Sequence, residues 1–250
     1  MRLVADVHGA VAALRRVARE PGPLLILGDL INFIDYRTNR GIVTDVSGQA
    51  FTDQMVALRT AGESYAAGEL WREFRKGREA ELQAAYAEAI EAAFDDILGA
   101  LDGVESYVTY GNVDRPELIR EKLAPPGRFL DGEVVNIEGR RVGFAGGGIV
   151  SIGTPGEVSE EEMAAKLEQI GDVDLLCTHV PPALKALQTD VVGGRAKGSL
   201  AILEYIEQRQ PPWHYFGDVH QPQATTWRVG ATVSRNVGYF RATGRAWNHA

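Results

Sequence analysis

The sequence predicts a layered α/β fold in which helices cover buried sheets, and three observations carry that prediction. The chain opens strand, turn, helix, strand. Leu3-Val4-Ala5 ends in Asp6-Val7-His8-Gly9, then Val11, Leu14 and Val17 recur at helical spacing, and Leu24 to Leu27 follows Pro21-Gly22-Pro23. These apolar runs are continuous rather than alternating, as in strands covered on both faces. Further runs return along the chain, and each stops at polar residues. Open α/β sheets place their ligands at the carboxyl ends of strands, so those residues are the first candidates for function.

The remaining elements follow in order. No strand is expected between Phe33 and Asp102. Leu82, Tyr86, Ile90, Phe94, Ile97 and Leu101 fall three and four apart and mark one long amphipathic helix. Gly68 and Gly77 should break an earlier helix that carries Leu70, Trp71 and Phe74. Residues 33–101 therefore read as a helical insertion, placed over the strand ends as a cap or paired with another subunit. The sheet resumes at Val104 to Tyr110, whose alternation suits a half-buried strand, and ends in Gly111-Asn112-Val113-Asp114. A helix from Pro116 to Leu123, strands Glu133–Ile137 and Arg141–Ala145, and a helix Ser159–Gln169 with an acidic first turn come next. Gly146-Gly147-Gly148 lacks dinucleotide-fingerprint spacing and reads as a tight turn. Strand Asp174–Thr178 ends in His179, helix Ser199–Gln208 leads to strand Trp213–Phe216, and Gly217-Asp218-Val219-His220 closes it. The alternating tail from Ala224 to Ala246 predicts antiparallel strands.

Composition sets the outer limits. The 250 residues read as a single domain, residues 1–250, with 33–101 inserted. At 45% apolar and 24% charged residues, the chain is neither collagen, disordered tail nor membrane bundle. Lys and Arg number 26 against 34 Asp and Glu, a net charge of −8, which argues against nucleic acid and anionic lipid as partners unless a bound metal reverses the field. The single cysteine, Cys177, sits in an apolar run and reads as a buried, inert thiol. With Asp6 and His8 interrupting the only apolar N-terminal segment, no secretory signal is expected, and a reducing cytoplasm fits best.

The chemistry collects at five strand ends, which carry Asp6 and His8, Asp29, Asn112, His179, then Asp218 and His220. In Asp6-Val7-His8 and Asp218-Val219-His220 the polar residues are two apart, which in extended chain sets both on one face. Mixed oxygen and imidazole donors suit Mn²⁺, Fe or Zn²⁺ better than Mg²⁺ alone.

With those blocks in hand, the chain resembles the calcineurin-like metallophosphoesterases, whose signature runs Asp-x-His, Gly-Asp, Gly-Asn, a lone His after a strand, and Gly-His-x-His. Here the blocks are Asp6-Val7-His8, Gly28-Asp29, Gly111-Asn112, Thr178-His179 and Gly217-Asp218-Val219-His220, in that order. The resemblance implies a four-layer αββα sandwich. It also implies two divalent metal ions, with Asp6, His8 and His220 on the first, Asn112 and His179 on the second, and Asp29 between them. The implied reaction is hydrolysis of a phosphomonoester or phosphodiester on a small substrate by a metal-bridging hydroxide. Asn112 and Asp114 are the candidate catalytic residues, Asp114 by orienting a neighbouring group.

Two departures stand out. Asp218 replaces the first His of the last block, so three carboxylates face two ions; this favours Mn²⁺ over Fe, Zn²⁺ or Ni²⁺, and Asp218 either ligates directly, acts through a water, or leaves the second subsite weak. Val113 stands where many members have a His that protonates the leaving group. Arg115, and Arg195 with Lys197 in a Gly-rich loop, are candidate substrate-binding cations; Asp114 and Arg115 otherwise read as a surface salt bridge. His214 fits strand packing and His249 a disordered tail. The competing expectation is a protein-interaction scaffold of the same fold with weakened catalysis, which Asp218, Val113 and the insertion motivate. Homo-oligomerisation through the insertion is a further expectation.

Overall fold

The computed structural model describes residues 1–151, 153–191 and 196–249. Among them the fold is mixed α/β, with parallel-rich sheets and ten α-helices. In chain order the first half runs β1 (Arg2–Val4), α1 (Val11–Ala18), β2 (Leu24–Leu27), α2 (Ile42–Ser47), α3 (Gln49–Thr60), α4 (Ser64–Arg75), α5 (Glu79–Leu98), β3 (Ser106–Thr109), α6 (Pro116–Lys122) and β4 (Arg128–Phe129). The second half runs β5 (Glu133–Ile137), β6 (Arg140–Ala145), β7 (Gly148–Ile149), β8 (Glu157–Val158), α7 (Glu160–Ile170), β9 (Leu175–Thr178), α8 (Lys185–Gln188) and α9 (Leu200–Arg209). It finishes with β10 (Trp213–Phe216), β11 (Thr226–Val229), β12 (Thr232–Asn236), α10 (Phe240–Thr243) and β13 (Trp247–Asn248).

One sheet has the order β13-β1-β2-β3-β4, parallel except for β13; a second has β11-β12-β10-β9-β6-β5, with antiparallel strands only at its edges. Side chains alternate along each strand, and the alternation distributes the core. Leu3, Leu25, Leu27 and Tyr107 of the first sheet join Val142, Phe144, Leu175, Cys177 and Tyr215 of the second in one buried cluster. The intervening Val4, Leu24, Ile26 and Val108 pack instead with Leu14 and Val17 of α1 and Phe94 and Ile97 of α5. Leu176 faces Met163, Leu167 and Ile170 of α7 and Ile202 and Ile206 of α9. Each fully buried Leu, Ile or Phe contributes about 1.5–3 kcal/mol.

Several expectations need correction. β3 is buried along its whole length rather than on one face, because Tyr107 packs into the cluster shared with the second sheet and Val108 into the cluster with α1 and α5. α4 runs through Gly68; only Gly77, with φ of 73°, separates helices. Buried Ala67, with Leu70, Trp71 and Phe74 against the small cluster of Val43, Phe51 and Met55, holds the turn that Gly68 weakens. Within residues 33–101, α5 and Ile42 of α2 pack into the cluster over the first sheet, and Val43 of α2 joins α3 and α4 in a second cluster, in which the ring centroids of Phe51 and Phe74 are 4.1 Å apart. The tail is only partly antiparallel, since β12 pairs parallel with β10 and α10 intervenes before β13. His249 is held rather than disordered: its amide donates to the Met1 carbonyl and its Nδ1 shares a hydrogen bond with the Tyr215 hydroxyl.

His214 is fully buried beside the site. The Thr178 hydroxyl donates to Val180 O, so His214 Nε2 donates into that hydroxyl at 2.8 Å, and Nδ1 accepts from Ser234 at 3.2 Å. Burial lowers the His214 pKa from 6.5 to about 3. A depressed histidine contributes stability that is complete above the unfolded value and is lost as pH falls from there toward the folded value. Urea unfolding at pH 7.5 and pH 5 should therefore show the native protein losing about 2 kcal/mol more than His214→Gln over that interval. Equal losses would contradict the assignment.

Candidate metal centre

Five parallel strands end near one another, and each hands over polar side chains. Asp6 and His8 follow β1, Asp29 follows β2, Asn112 follows β3, His179 follows β9, and Asp218 and His220 follow β10. The chain does not leave these strands extended, as the two-apart spacing suggested. Asp6, His8, Asp29 and Asp218 have φ of 57°, 42°, 53° and 62°, in the left-handed region. Pairing stops at Val4 and Phe216, and the curled backbone is instead fixed by Asp6 N and His8 N, which donate to Gly28 O and Asp29 O. Val7 and Val219 are buried and act as apolar anchors between the polar residues.

All seven side chains meet. His8 Nε2 lies 3.4 Å from His220 Nε2 and 3.5 Å from Asp29 Oδ2, and His220 Nε2 lies 3.5 Å from Asp6 Oδ1. His179 Nε2 lies 3.5 Å from Asp29 Oδ1, 3.4 Å from Asn112 Oδ1 and 3.9 Å from Asp218 Oδ1. Donors ~2.1 Å from a shared ion stand ~3–3.5 Å from each other, so these spacings fit cation coordination. Asp6, His8 and His220 form one group that could hold a metal ion, and Asp6, Asp29 and His179 form another.

The imidazoles are aimed. His179 Nδ1 donates to Leu27 O at 2.8 Å and His8 Nδ1 to Ile31 O at 3.3 Å. With Nδ1 held by a carbonyl, each ring turns its Nε2 toward the centre. His8 Nε2 lies 3.4 Å from His220 Nε2, close enough for the two rings to share a proton or a cation. The titration behaviour agrees. Burial disfavours the His179 imidazolium, but Asp29, Asp218 and Asp6 outweigh it and raise the pKa to about 9. Burial likewise opposes ionised Asp6, yet the hydrogen bond and charge of His220, with His179 and His8 beyond, lower it to about 2. Burial lowers the His8 pKa, whereas the three carboxylates raise that of His179; the negative charge that favours a proton on His179 also favours a metal cation there.

The remaining predicted residues divide. Asp114 is fully buried, with Oδ1 accepting from Leu30 N and Oδ2 from Gly111 N, both at 2.8 Å. It is thus not half of a surface salt bridge; it clamps the loops after β2 and β3 together. Burial and the charge of Asp29 raise its pKa to about 7 against those two hydrogen bonds. The Arg115 guanidinium donates to the carbonyls of Val113 and Asp114. Arg195 lies outside the described residues. Lys197 is not a free steering cation: its ammonium sits 2.7 Å from Asp218 Oδ1 and 3.0 Å from Asp218 O.

Sequence reasoning missed three residues at the site rim. Tyr239 stacks on His220 with centroids 3.9 Å apart and planes at 5°. Arg241 donates to His8 O and pairs with Asp35 at 3.3 Å, tying the loop before α2 to the site. No local pattern marks them, because their partners are distant in sequence. Among the described residues no helix is long and apolar enough to cross a membrane. Comparison with protein-family models and with curated proteins gives no match for this chain.

Proposed function

We propose that this chain is a metal-dependent phosphoesterase of the calcineurin-like type. One observation carries the reading: seven side chains remote in sequence meet in ligand-atom contact where five parallel strands end, in the block order of that family. Asp6, His8 and His220 would hold a first divalent cation. Asn112 and His179, beside Asp218, would hold a second, and Asp29 would join the two, with one oxygen toward each group. Three carboxylates make Mn²⁺ the expected metal.

Bound divalent cations supply Lewis acidity toward a phosphoryl oxygen and bring the pKa of water toward neutrality. The chain's own residues supply geometry and charge. The carbonyls of Leu27 and Ile31 fix the rings of His179 and His8. Asp114 fixes the Gly111 turn that presents Asn112, and Val113 N donates to Asp29 Oδ1 at 3.2 Å, holding that carboxylate in register. Asn112 is half-buried, and its amide N–H is suited to donate to a phosphate oxygen. Val113 offers no proton to a leaving group, a contribution typically worth ~10²–10⁴-fold, so esters with good leaving groups are the expected substrates.

The three clusters that alternate with the two sheets support a four-layer αββα reading of the architecture, with α2 to α4 as an added lobe available for self-association. Buried Cys177 suits a cytoplasmic setting. The test is hydrolysis. Purified protein with Mn²⁺ should cleave an activated aryl phosphate mono- or diester, and chelation should stop it; no cleavage with Mn²⁺, Zn²⁺ or Ni²⁺ overturns the proposal. The ion pair of Lys197 with Asp218 favours one second reading, a scaffold with weakened catalysis, for which elemental analysis should find a centre without metal.

A further inference from the structure

We propose that Lys197 is a built-in countercation which holds Asp218 and sets the affinity of the second cation subsite, so that the protein takes up its two ions stepwise, the first tightly and the second more weakly. This rests on reading the cluster as a two-cation centre. The ammonium makes two contacts with one residue, to the Asp218 carboxylate at 2.7 Å and to its carbonyl at 3.0 Å. The carboxylate oxygen it holds is also the one 3.9 Å from His179 Nε2, the oxygen that a second ion would need. Asp218 accordingly falls outside both groups of donors that converge closely enough to hold an ion.

The lysine is delivered there by the fold rather than by chance. Lys197 N donates to Gln188 O and Ser199 N to Pro181 O, fixing the backbone on both sides. Ser199 then starts α9, and the carboxylate of Glu160 accepts from the Ser199 hydroxyl at 2.6 Å and from Leu200 N and Ala201 N. At Gly198 a Cβ would come within 2.7 Å of Ala183 Cα, so the strand of chain beside Lys197 packs too closely for a side chain. The Asp218 side chain is 5% exposed and that of Lys197 35%, so the pair is sheltered yet the amine has a way out.

Charge decides the consequence. Asp6, Asp29 and Asp218 bring three negative charges and Lys197 one positive, which leaves the surplus that a single divalent ion cancels. A second ion meets a centre already neutral and has to displace the ammonium from Asp218 or share its oxygen.

Isothermal titration of metal-free protein with Mn²⁺ tests this without any substrate. Native protein should show two binding events, the second at least tenfold weaker. Lys197→Met, which keeps the length and loses the charge, should tighten the second event at least tenfold and leave the first within about twofold. Lys197→Arg, which keeps the charge, should behave as native, and circular dichroism of all three should coincide. A second event in Lys197→Met that is unchanged or weaker overturns the countercation role while leaving the two-cation centre standing. Absence of any binding in all three proteins overturns both.

Discussion

Asp29→Ala should abolish turnover, lowering kcat on an activated aryl phosphate by at least ~10³-fold, and should reduce bound Mn²⁺ from two ions per chain to one or none. Asp29 turns its two oxygens toward different imidazoles, Oδ2 toward His8 and Oδ1 toward His179, each at 3.5 Å. Its removal takes the shared donor from both subsites and a negative charge from a buried pocket. Losing a single group that stabilises charge in a reaction costs ~10²–10³-fold, and Asp29 acts at two places, which sets the larger figure. Asp29→Asn, with one oxygen left, should fall between. Steady-state kinetics together with elemental analysis reads both effects; an Ala variant that keeps a tenth of the native rate would remove Asp29 from the mechanism.

The second large effect is expected from a single methyl group. A Cβ at Gly111 would lie 2.2 Å from Asp29 Oδ1, 2.6 Å from Asp29 N and 2.6 Å from His179 Cε1. None of these atoms ends a flexible side chain with room to swing, since Asp29 and His179 are 3% and 0% exposed. The turn after β3 must therefore move, and with it the hydrogen bond from Gly111 N to Asp114. Gly111→Ala should destabilise the fold by about 4 kcal/mol or more and eliminate metal binding. Gly99→Ala serves as the control: a Cβ there meets open space and φ is −61°, so stability should change by less than about 1 kcal/mol. Urea unfolding and Mn²⁺ titration measure both; a Gly111→Ala protein with native midpoint and affinity would show the close approach to be unimportant.

Much of this arrangement is legible in the sequence because strand ends announce themselves. Continuous apolar runs place β1, β2, β9 and β10 within a residue or two, and the polar residues that end them are the ones that meet. The helix of residues 82–101 is equally plain from its spacing and forms as α5 with a short 3₁₀ turn after it. What stayed hidden depends on the path of the chain in space. Asp114 looks like a turn residue because one of its partners, Leu30, is 84 residues away. Lys197 looks like a loop cation because only the packing of its loop against Pro181 and Gln188 brings it to Asp218. The Asp-x-His spacing suggested extended chain because the rule of alternation holds only for extended backbone, and at Asp6, His8 and Asp218 the backbone is left-handed. Glycine counted as a helix breaker at position 68 because its cost of about 1 kcal/mol is visible locally while the burial that offsets it is not.

The left-handed backbone at the centre sets stability against chemistry. Four of the seven non-glycine residues with positive φ among the described residues are Asp6, His8, Asp29 and Asp218. An L-residue bent this way costs roughly 1–2 kcal/mol more than glycine would, and whole domains are stable by only about 5–15 kcal/mol. Laboratory evolution for heat tolerance alone would find its readiest gains by converting these positions to glycine, and each gain would delete a candidate ligand. Evolution that screens for turnover as well has to seek its added robustness elsewhere, in the lobe of α2 to α4 and the outer helices, where no side chain of the centre stands in the way.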